Sequence, residues 1–135
     1  MFQTKNVMTK DVICVRIDTP ISEAIEIMVN NGVSGVPVVE EDMTLVGIIS
    51  EHDVLRLLNT YKQERNRTAG ELMIHPVVYF KENDSLLDIC YSLRDSSIRR
   101  IPVTSDGKVT GIISRADILR CILQLLQEPC LSGSE

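Results

Sequence analysis

Apolar residues along the chain alternate between two spacings. Runs of β-branched residues at 12–15, 33–39 and 45–49 predict short strands. Apolar residues three and four positions apart over 21–29, and again from about 52 to 61, predict amphipathic helices that each bury one face. The first half of the chain is therefore predicted to be a β-α-β-β-α unit.

The second half repeats this order of strands and helices. Its predicted strands and helices lie at 77–80, 86–93, 100–103, 108–113 and 116–126. We place a first repeat at 7–61, a polar linker at 62–70, a second repeat at 71–127 and a flexible tail at 128–135. In each unit only two helices cover three short strands, so neither unit has much hydrophobic core alone. We expect the repeats to pack together about a pseudo-twofold axis.

Capping and turn residues mark where several predicted elements end. Thr19 is expected to cap the first helix with Pro20 at its first position, and Gly32 is expected to stop it. Pro37 lies inside a predicted strand and has no N–H to donate. That strand must therefore lie at a sheet edge, or be unpaired at Pro37.

Two copies of one short motif are the candidate chemical sites. GIISEHD at 47–53 and GIISRAD at 111–117 each predict a buried strand that ends at a helix start, with a serine and an aspartate three residues apart. A carboxylate can accept both hydroxyls of a ribose. An aspartate in the first helical turn also stabilises the helix by itself. Helix capping does not explain why the same residues precede both aspartates, so we predict two related half-sites.

Composition argues against nucleic-acid binding and membrane association. The chain has 135 residues, 44% hydrophobic and 24% charged, as expected of one ordinary globular domain. A net charge of −5 argues against general nucleic-acid binding. The chain contains no run of apolar residues that matches a signal peptide or a membrane span, and we therefore expect a cytoplasmic protein with no membrane association.

Neither the cysteines nor the histidines form a recognised reactive pattern. The spacing of Cys14, Cys90, Cys121 and Cys130 matches neither a metal motif nor a disulfide scaffold, which predicts idle thiols and no metal. His52 and His75 are the only histidines, and neither belongs to a nucleophile–base or zinc motif. We therefore predict that the protein is not an enzyme and needs no obligatory cofactor.

The motifs together resemble a known family. They are VMT at 7–9, VSGVPVV at 33–39, RRIPV at 99–103 and the two GIIS-x-x-D segments. From about Met8 to about Leu126 the sequence resembles a tandem pair of cystathionine-β-synthase (CBS) domains, known as a Bateman module. The resemblance implies an α/β (α+β) fold with two β-α-β-β-α repeats packed sheet to sheet. It also implies a regulatory module that binds AMP, ADP, ATP or S-adenosylmethionine and forms a homodimer.

The resemblance further implies two ligand clefts and an unknown effector. The main cleft is expected to contain Thr9, Ile13, Val33, Ser34, Arg99, Ser114, Arg115 and Asp117. The second, weaker cleft is expected to contain Ser50, Asp53, His75, Val78 and Ile98. Since no effector domain accompanies the repeats, we expect regulation of a partner in trans. The alternative is a ligand-free dimerisation scaffold.

We rank the clefts by their charge. In the main cleft, Arg99 and Arg115 are expected to meet phosphates, while Ile13 and Val33 enclose the adenine. In the second cleft, the positions equivalent to Arg99, Arg115 and Thr9 are occupied by Ser34, Glu51 and Ile74. Phosphate charge is then less well balanced there. The sequence therefore predicts one good nucleotide site at Asp117 and a weak or empty one at Asp53.

Overall fold

The structure, a computed structural model, describes residues 3–94 and 99–128. The first repeat contains β1 (Val15–Arg16), α1 (Ile21–Asn31), β2 (Gly35–Val39), β3 (Leu45–Ser50), α2 (Glu51–Leu55) and α3 (Leu57–Glu64). Its strands form one sheet in the order β1-β2-β3. β1 pairs parallel with β2, and β2 pairs antiparallel with β3.

The second repeat has the same arrangement. It contains α4 (Ala69–Leu72), β4 (Phe80–Lys81), α5 (Leu86–Arg94), β5 (Arg100–Ser105), β6 (Lys108–Ser114) and α6 (Arg115–Gln127). Its sheet has the order β4-β5-β6, again with one parallel and one antiparallel pair. The predicted α/β fold of two β-α-β-β-α repeats is confirmed. The predicted tail lies mostly outside the described residues.

Each repeat tolerates a proline in its central strand for the same reason. Pro37 lies opposite Ile48 in β3, and the N–H and C=O of Ile48 bond to Ile74 instead of β2. Pro37 is therefore in a pair without ladder bonds, and its nitrogen points to the β1 side. β1 reaches only Val38 and Val39. The missing N–H leaves no partner unpaired, which confirms the second of the two expected placements.

Two predicted helix boundaries differ from the structure. Thr19 does not cap α1, so that prediction is wrong: its hydroxyl accepts a bond from the Arg16 N–H at 2.9 Å, and the Ile21 N–H instead donates to the Arg67 carbonyl at 2.9 Å. The helix expected from 52 to 61 is divided at Arg56 into α2 and α3. The stop at Gly32 is confirmed, with a left-handed φ of 60°.

The segment at the start of each repeat pairs with the sheet of the other repeat. The backbone of Thr9 makes two hydrogen bonds with Ile112 of β6, at 2.8 and 2.9 Å. The backbone of Ile74 makes the equivalent pair with Ile48 of β3. Ala69, which begins α4, is fully buried in the core of the first repeat. Residues 62–70 are therefore partly helical and packed, not a free linker.

This exchange explains both motif glycines. A Cβ on Gly47 would lie 2.8 Å from Cγ of Met73 and 2.9 Å from the carbonyl oxygen of Ile74. A Cβ on Gly111 would lie 2.8 Å from Cγ of Met8. Each methionine lies over the glycine of the other repeat, so the two repeats share their packing at the strands that lead into the motifs.

Candidate functional site

Both motif aspartates form capping boxes at the start of a helix. At α2, the Ser50 hydroxyl accepts from the Asp53 N–H at 3.4 Å, and Oδ2 of Asp53 accepts from the Ser50 hydroxyl at 2.6 Å and from the Ser50 N–H at 3.3 Å. At α6, Ser114 and Asp117 make the same three bonds. The structural role expected for each carboxylate is therefore present at both half-sites.

The second oxygen of each aspartate distinguishes the half-sites. Oδ1 of Asp117 accepts from the Thr9 hydroxyl at 3.1 Å and from Arg120 Nη2 at 2.5 Å, and the side chain is 4% exposed. Oδ1 of Asp53 accepts no hydrogen bond from the described residues. Arg56 Nη2 lies 4.0 Å from it, and the Asp53 side chain is 11% exposed. Of these two aspartates, Asp53 alone has a carboxylate oxygen that no donor in the described part of the chain occupies.

An open cavity of about 540 Å³ lies beside Asp53. This volume is within the range of about 300–1,000 Å³ found for small-molecule sites. Apolar side chains from both repeats line it, among them Ile48, Ile74 and Val78. The last two are about half exposed, so a ligand would bury them.

Two arginines from the second repeat also line this cavity. Arg99 lies 3.9 Å from Glu51 in a solvent-exposed ion pair, a weak interaction that leaves its guanidinium available. Arg100 Nε donates to the Ser34 hydroxyl at 3.2 Å, which fixes its stem across the boundary between the repeats. The Asp53 cavity is therefore lined by two arginines as well as by the carboxylates of Glu51 and Asp53, and Arg99, which was expected in the main cleft, lies on its wall.

The residues predicted for the main cleft are only partly brought together. The hydroxyls of Thr9 and Ser114 both donate to the carboxylate of Asp117. Ile13 and Val33 pack against the core of the first repeat. Arg115 donates to the Leu93 carbonyl at 2.8 Å.

The other two predicted members of the main cleft, Ser34 and Arg99, line the cavity beside Asp53. Ser34 accepts a hydrogen bond from Arg100 of the second repeat, and Arg99 pairs with Glu51 of the first, so both lie at the boundary between the repeats.

Of the residues predicted for the second cleft, Ser50, Asp53 and Val78 line the cavity. His75 is exposed between two lining residues and does not line it, and Ile98 lies outside the described residues. Arg100 and Arg120 were missed. A signal for Arg120 existed, because it follows Asp117 by three positions and such pairs meet on one helix face.

The remaining predicted absences concern metals, membranes and thiols. The described residues contain no group of three or more His, Cys, Asp or Glu side chains that could hold a metal ion. No helix within them is long and apolar enough to cross a membrane. Cys14, Cys90 and Cys121 are free, and burial raises the pKa of the Cys14 thiol to about 11. Cys14 is therefore protonated and unreactive at neutral pH.

The family model of the CBS domain matches residues 5–60 and 69–124. Since these two matches cover most of the chain, it belongs to the CBS domain family and carries two copies in tandem. The resemblance seen in the sequence is confirmed.

Relatives with similar sequence and structure are CBS-pair proteins. The chain is 31% identical to the chloroplastic CBS domain-containing protein CBSX1 of Arabidopsis thaliana, over 92% of this chain and 63% of that protein. It therefore spans less than two-thirds of that relative. Arabidopsis CBSX2 in complex with AMP has a TM-score of 0.86 at 29% identity, with 94% of this chain and 100% of that chain covered.

A third relative binds other adenosine compounds. The CBS domain pair of protein MJ0100, in complex with 5′-methylthioadenosine and S-adenosyl-L-methionine, has a TM-score of 0.79 at 26% identity. The match covers 93% of this chain and 98% of that chain. Adenosine is the part that its ligands share with AMP.

Proposed function

We propose that this protein is a regulatory module that binds an adenosine-containing ligand in the cavity beside Asp53. The single observation that supports this location most strongly is the free Oδ1 of Asp53 on the wall of a 540 Å³ cavity. The AMP complex of CBSX2 and the S-adenosylmethionine complex of MJ0100 support the ligand class. Both proteins have the fold of this chain.

Each part of an adenine nucleotide has a counterpart in this cavity. Oδ1 of Asp53 has the lone pairs to accept both ribose hydroxyls, while Oδ2 keeps the capping box. Ile48, Ile74 and Val78 provide apolar surface for the adenine ring. Arg99 and Arg100 provide the charge for phosphate, and arginine binds phosphate through paired donors. Exchange of the Glu51 ion pair for phosphate would free Arg99 for the ligand.

We propose a regulatory and not a catalytic role, in the cytoplasm, with an effector protein acted on in trans. A ligand shifts the conformation of such a module only through its different affinity for two states. We also propose a homodimer. Both repeats leave large apolar side chains exposed on their last helices, among them Leu55, Leu58, Tyr61, Leu119, Leu123 and Leu126. A second copy would bury this surface.

Thermal unfolding with AMP tests the proposal directly. A ligand at 100 times its dissociation constant adds about 2.7 kcal/mol to the free energy of unfolding, and we expect a shift of that order with AMP or ATP. The matched control ligand is 2′-deoxy-AMP, which lacks one of the two hydroxyls and should bind at least tenfold more weakly. Native mass spectrometry of the purified protein reports the subunit count and any bound nucleotide.

The alternative function predicts a different result. A ligand-free dimerisation scaffold would be dimeric by native mass spectrometry but would show no shift with AMP, ATP or S-adenosylmethionine. That outcome would reject the ligand-binding function and leave the apolar helix surface as the functional feature.

A further inference from the structure

We propose that Arg120 closes the Asp117 half-site, so that the chain binds one adenosine ligand although it carries two copies of the motif. The inference rests on the proposed function and assigns to one residue the number of ligands that bind. Arg120 acts by occupying the oxygen that a ribose would need.

The contacts of Asp117 show how it is blocked. Arg120 Nη2 donates to Oδ1 at 2.5 Å, and the Thr9 hydroxyl donates to the same oxygen at 3.1 Å. Ser114 uses Oδ2 through both its N–H and its hydroxyl. Four donors therefore saturate a carboxylate that is 4% exposed. A ribose hydroxyl must displace Arg120 before it can bind.

The other half-site provides a comparison within the same molecule. Arg56 occupies the position after Asp53 that Arg120 occupies after Asp117, yet its guanidinium remains 4.0 Å from Oδ1. The two arginines lie at different places in their helices. α6 is continuous from Arg115 to Gln127, so side chains three apart lie on one face and meet. The helix at Asp53 is interrupted at Arg56 itself.

The interruption at Arg56 also affects where its charge is placed. Arg56 ends α2 with αR backbone angles and is largely exposed, with 72% of its side chain accessible. An exposed ion pair at this distance is weak and readily exchanged for a ligand. The Arg120 side chain is also exposed, at 66%, but its partner carboxylate is 4% exposed and the pair has direct hydrogen-bond geometry. The two motifs share a sequence pattern, but an arginine is hydrogen-bonded to the aspartate in only the second of them.

The test is the AMP stoichiometry of matched arginine variants, measured by isothermal titration calorimetry. We expect one AMP per chain for the wild type and for Arg56→Gln. We expect Arg120→Gln to approach two, and Arg120→Gln combined with Asp117→Asn to return to one. Arg120→Lys, which keeps a charge but loses the guanidinium, should show a second site weaker than that of Arg120→Gln. Thermal unfolding midpoints confirm that each variant folds.

The possible results separate the two proposals. If the wild type and Arg120→Gln both bind one AMP, the proposed function stands and the role of Arg120 is overturned. Two AMP molecules on the wild type would also overturn it, because the half-site would then be open despite Arg120. If neither protein binds AMP, the ligand-binding function itself fails, and the role of Arg120 fails with it.

Discussion

The half-sites at Asp53 and Asp117 share a motif and a capping box but differ in what surrounds the carboxylate. The segment at the start of the first repeat brings Thr9 to Asp117, where the Thr9 hydroxyl donates to Oδ1. The equivalent residue at Asp53 is Ile74, whose backbone pairs with β3 in the same way but whose side chain has no donor. The same GIIS-x-x-D pattern therefore produces one saturated carboxylate and one whose Oδ1 has no donor among the described residues.

The comparison teaches that residues outside the motif determine whether it can bind. The glycines, the serines and the aspartates build a strand end and a capped helix in both repeats. The exchanged segments and the arginine one turn later then decide which oxygen remains open. Each aspartate both caps its helix and is a candidate ligand contact. Substitutions at equivalent positions of the two repeats should therefore distinguish effects on stability from effects on ligand binding.

Substitution of the motif glycines should give the largest difference. We expect Gly47→Ala to lower the free energy of unfolding by about 3 kcal/mol and Gly111→Ala by about 1 kcal/mol. The added Cβ at Gly47 meets the backbone oxygen of Ile74 at 2.9 Å, whereas the nearest atoms at Gly111 all belong to the flexible side chain of Met8. Urea denaturation measures both.

The methionines supply the control for this pair. In a Met8→Ala background, Gly111→Ala should cost almost nothing further, because the colliding side chain is gone. In a Met73→Ala background, Gly47→Ala should keep most of its cost. Equal costs for the two glycines in the wild type would show that the exchanged segments pack alike.

A buried hydroxyl gives the next largest expected effect. Oγ1 of Thr110 in β6 is buried and has no hydrogen-bond partner within residues 3–94 and 99–128, and the equivalent residue in β3 is Val46, which packs against the first core. Thr110→Val should stabilise the protein by about 1 kcal/mol, and the reciprocal Val46→Thr should destabilise it by a similar amount. Thermal unfolding measures both. A loss of stability in Thr110→Val would show that the hydroxyl has a partner.

The smallest effect is expected from the acidic residue at the cavity. Glu51 pairs with Arg99 and stands where the other half-site has Arg115. Glu51→Gln should tighten ATP binding about two- to fivefold, since it removes a repelling charge and frees Arg99, and the gain should shrink with added salt. Adenosine, which has no phosphate, is the control and should bind unchanged. Equal gains for ATP and adenosine would contradict a phosphate contact.

Sequence patterns could predict the elements and the capped aspartates because these depend on neighbours within one helical turn or one strand. β-branched runs, Gly32 and both GIIS-x-x-D segments are such local signals. The helix boundary at Thr19 failed because a distant carbonyl, that of Arg67, satisfies the first N–H of α1. No local pattern contains that contact.

The position of Arg99 was not predictable from the sequence for a related reason. The family resemblance assigned Arg99 to the Asp117 cleft, but the fold places it on the wall of the Asp53 cavity with Arg100. The contact between Arg120 and Asp117 lies within one continuous helix, whereas Arg56 follows the end of α2, and the sequence predicted one uninterrupted helix in both repeats. The interruption at Arg56 was not visible in the spacing of apolar residues.

Calorimetric titration of AMP into Asp53→Asn and Asp117→Asn tests the central claim most directly. Asparagine keeps the size of the side chain and removes the charge that strengthens its hydrogen bonds to ribose, worth about 1.5–3 kcal/mol, or roughly tenfold or more in affinity. We predict at least tenfold weaker binding for Asp53→Asn and a change below twofold for Asp117→Asn. Loss of binding in Asp117→Asn with normal affinity in Asp53→Asn would contradict the account and place the ligand in the other half-site.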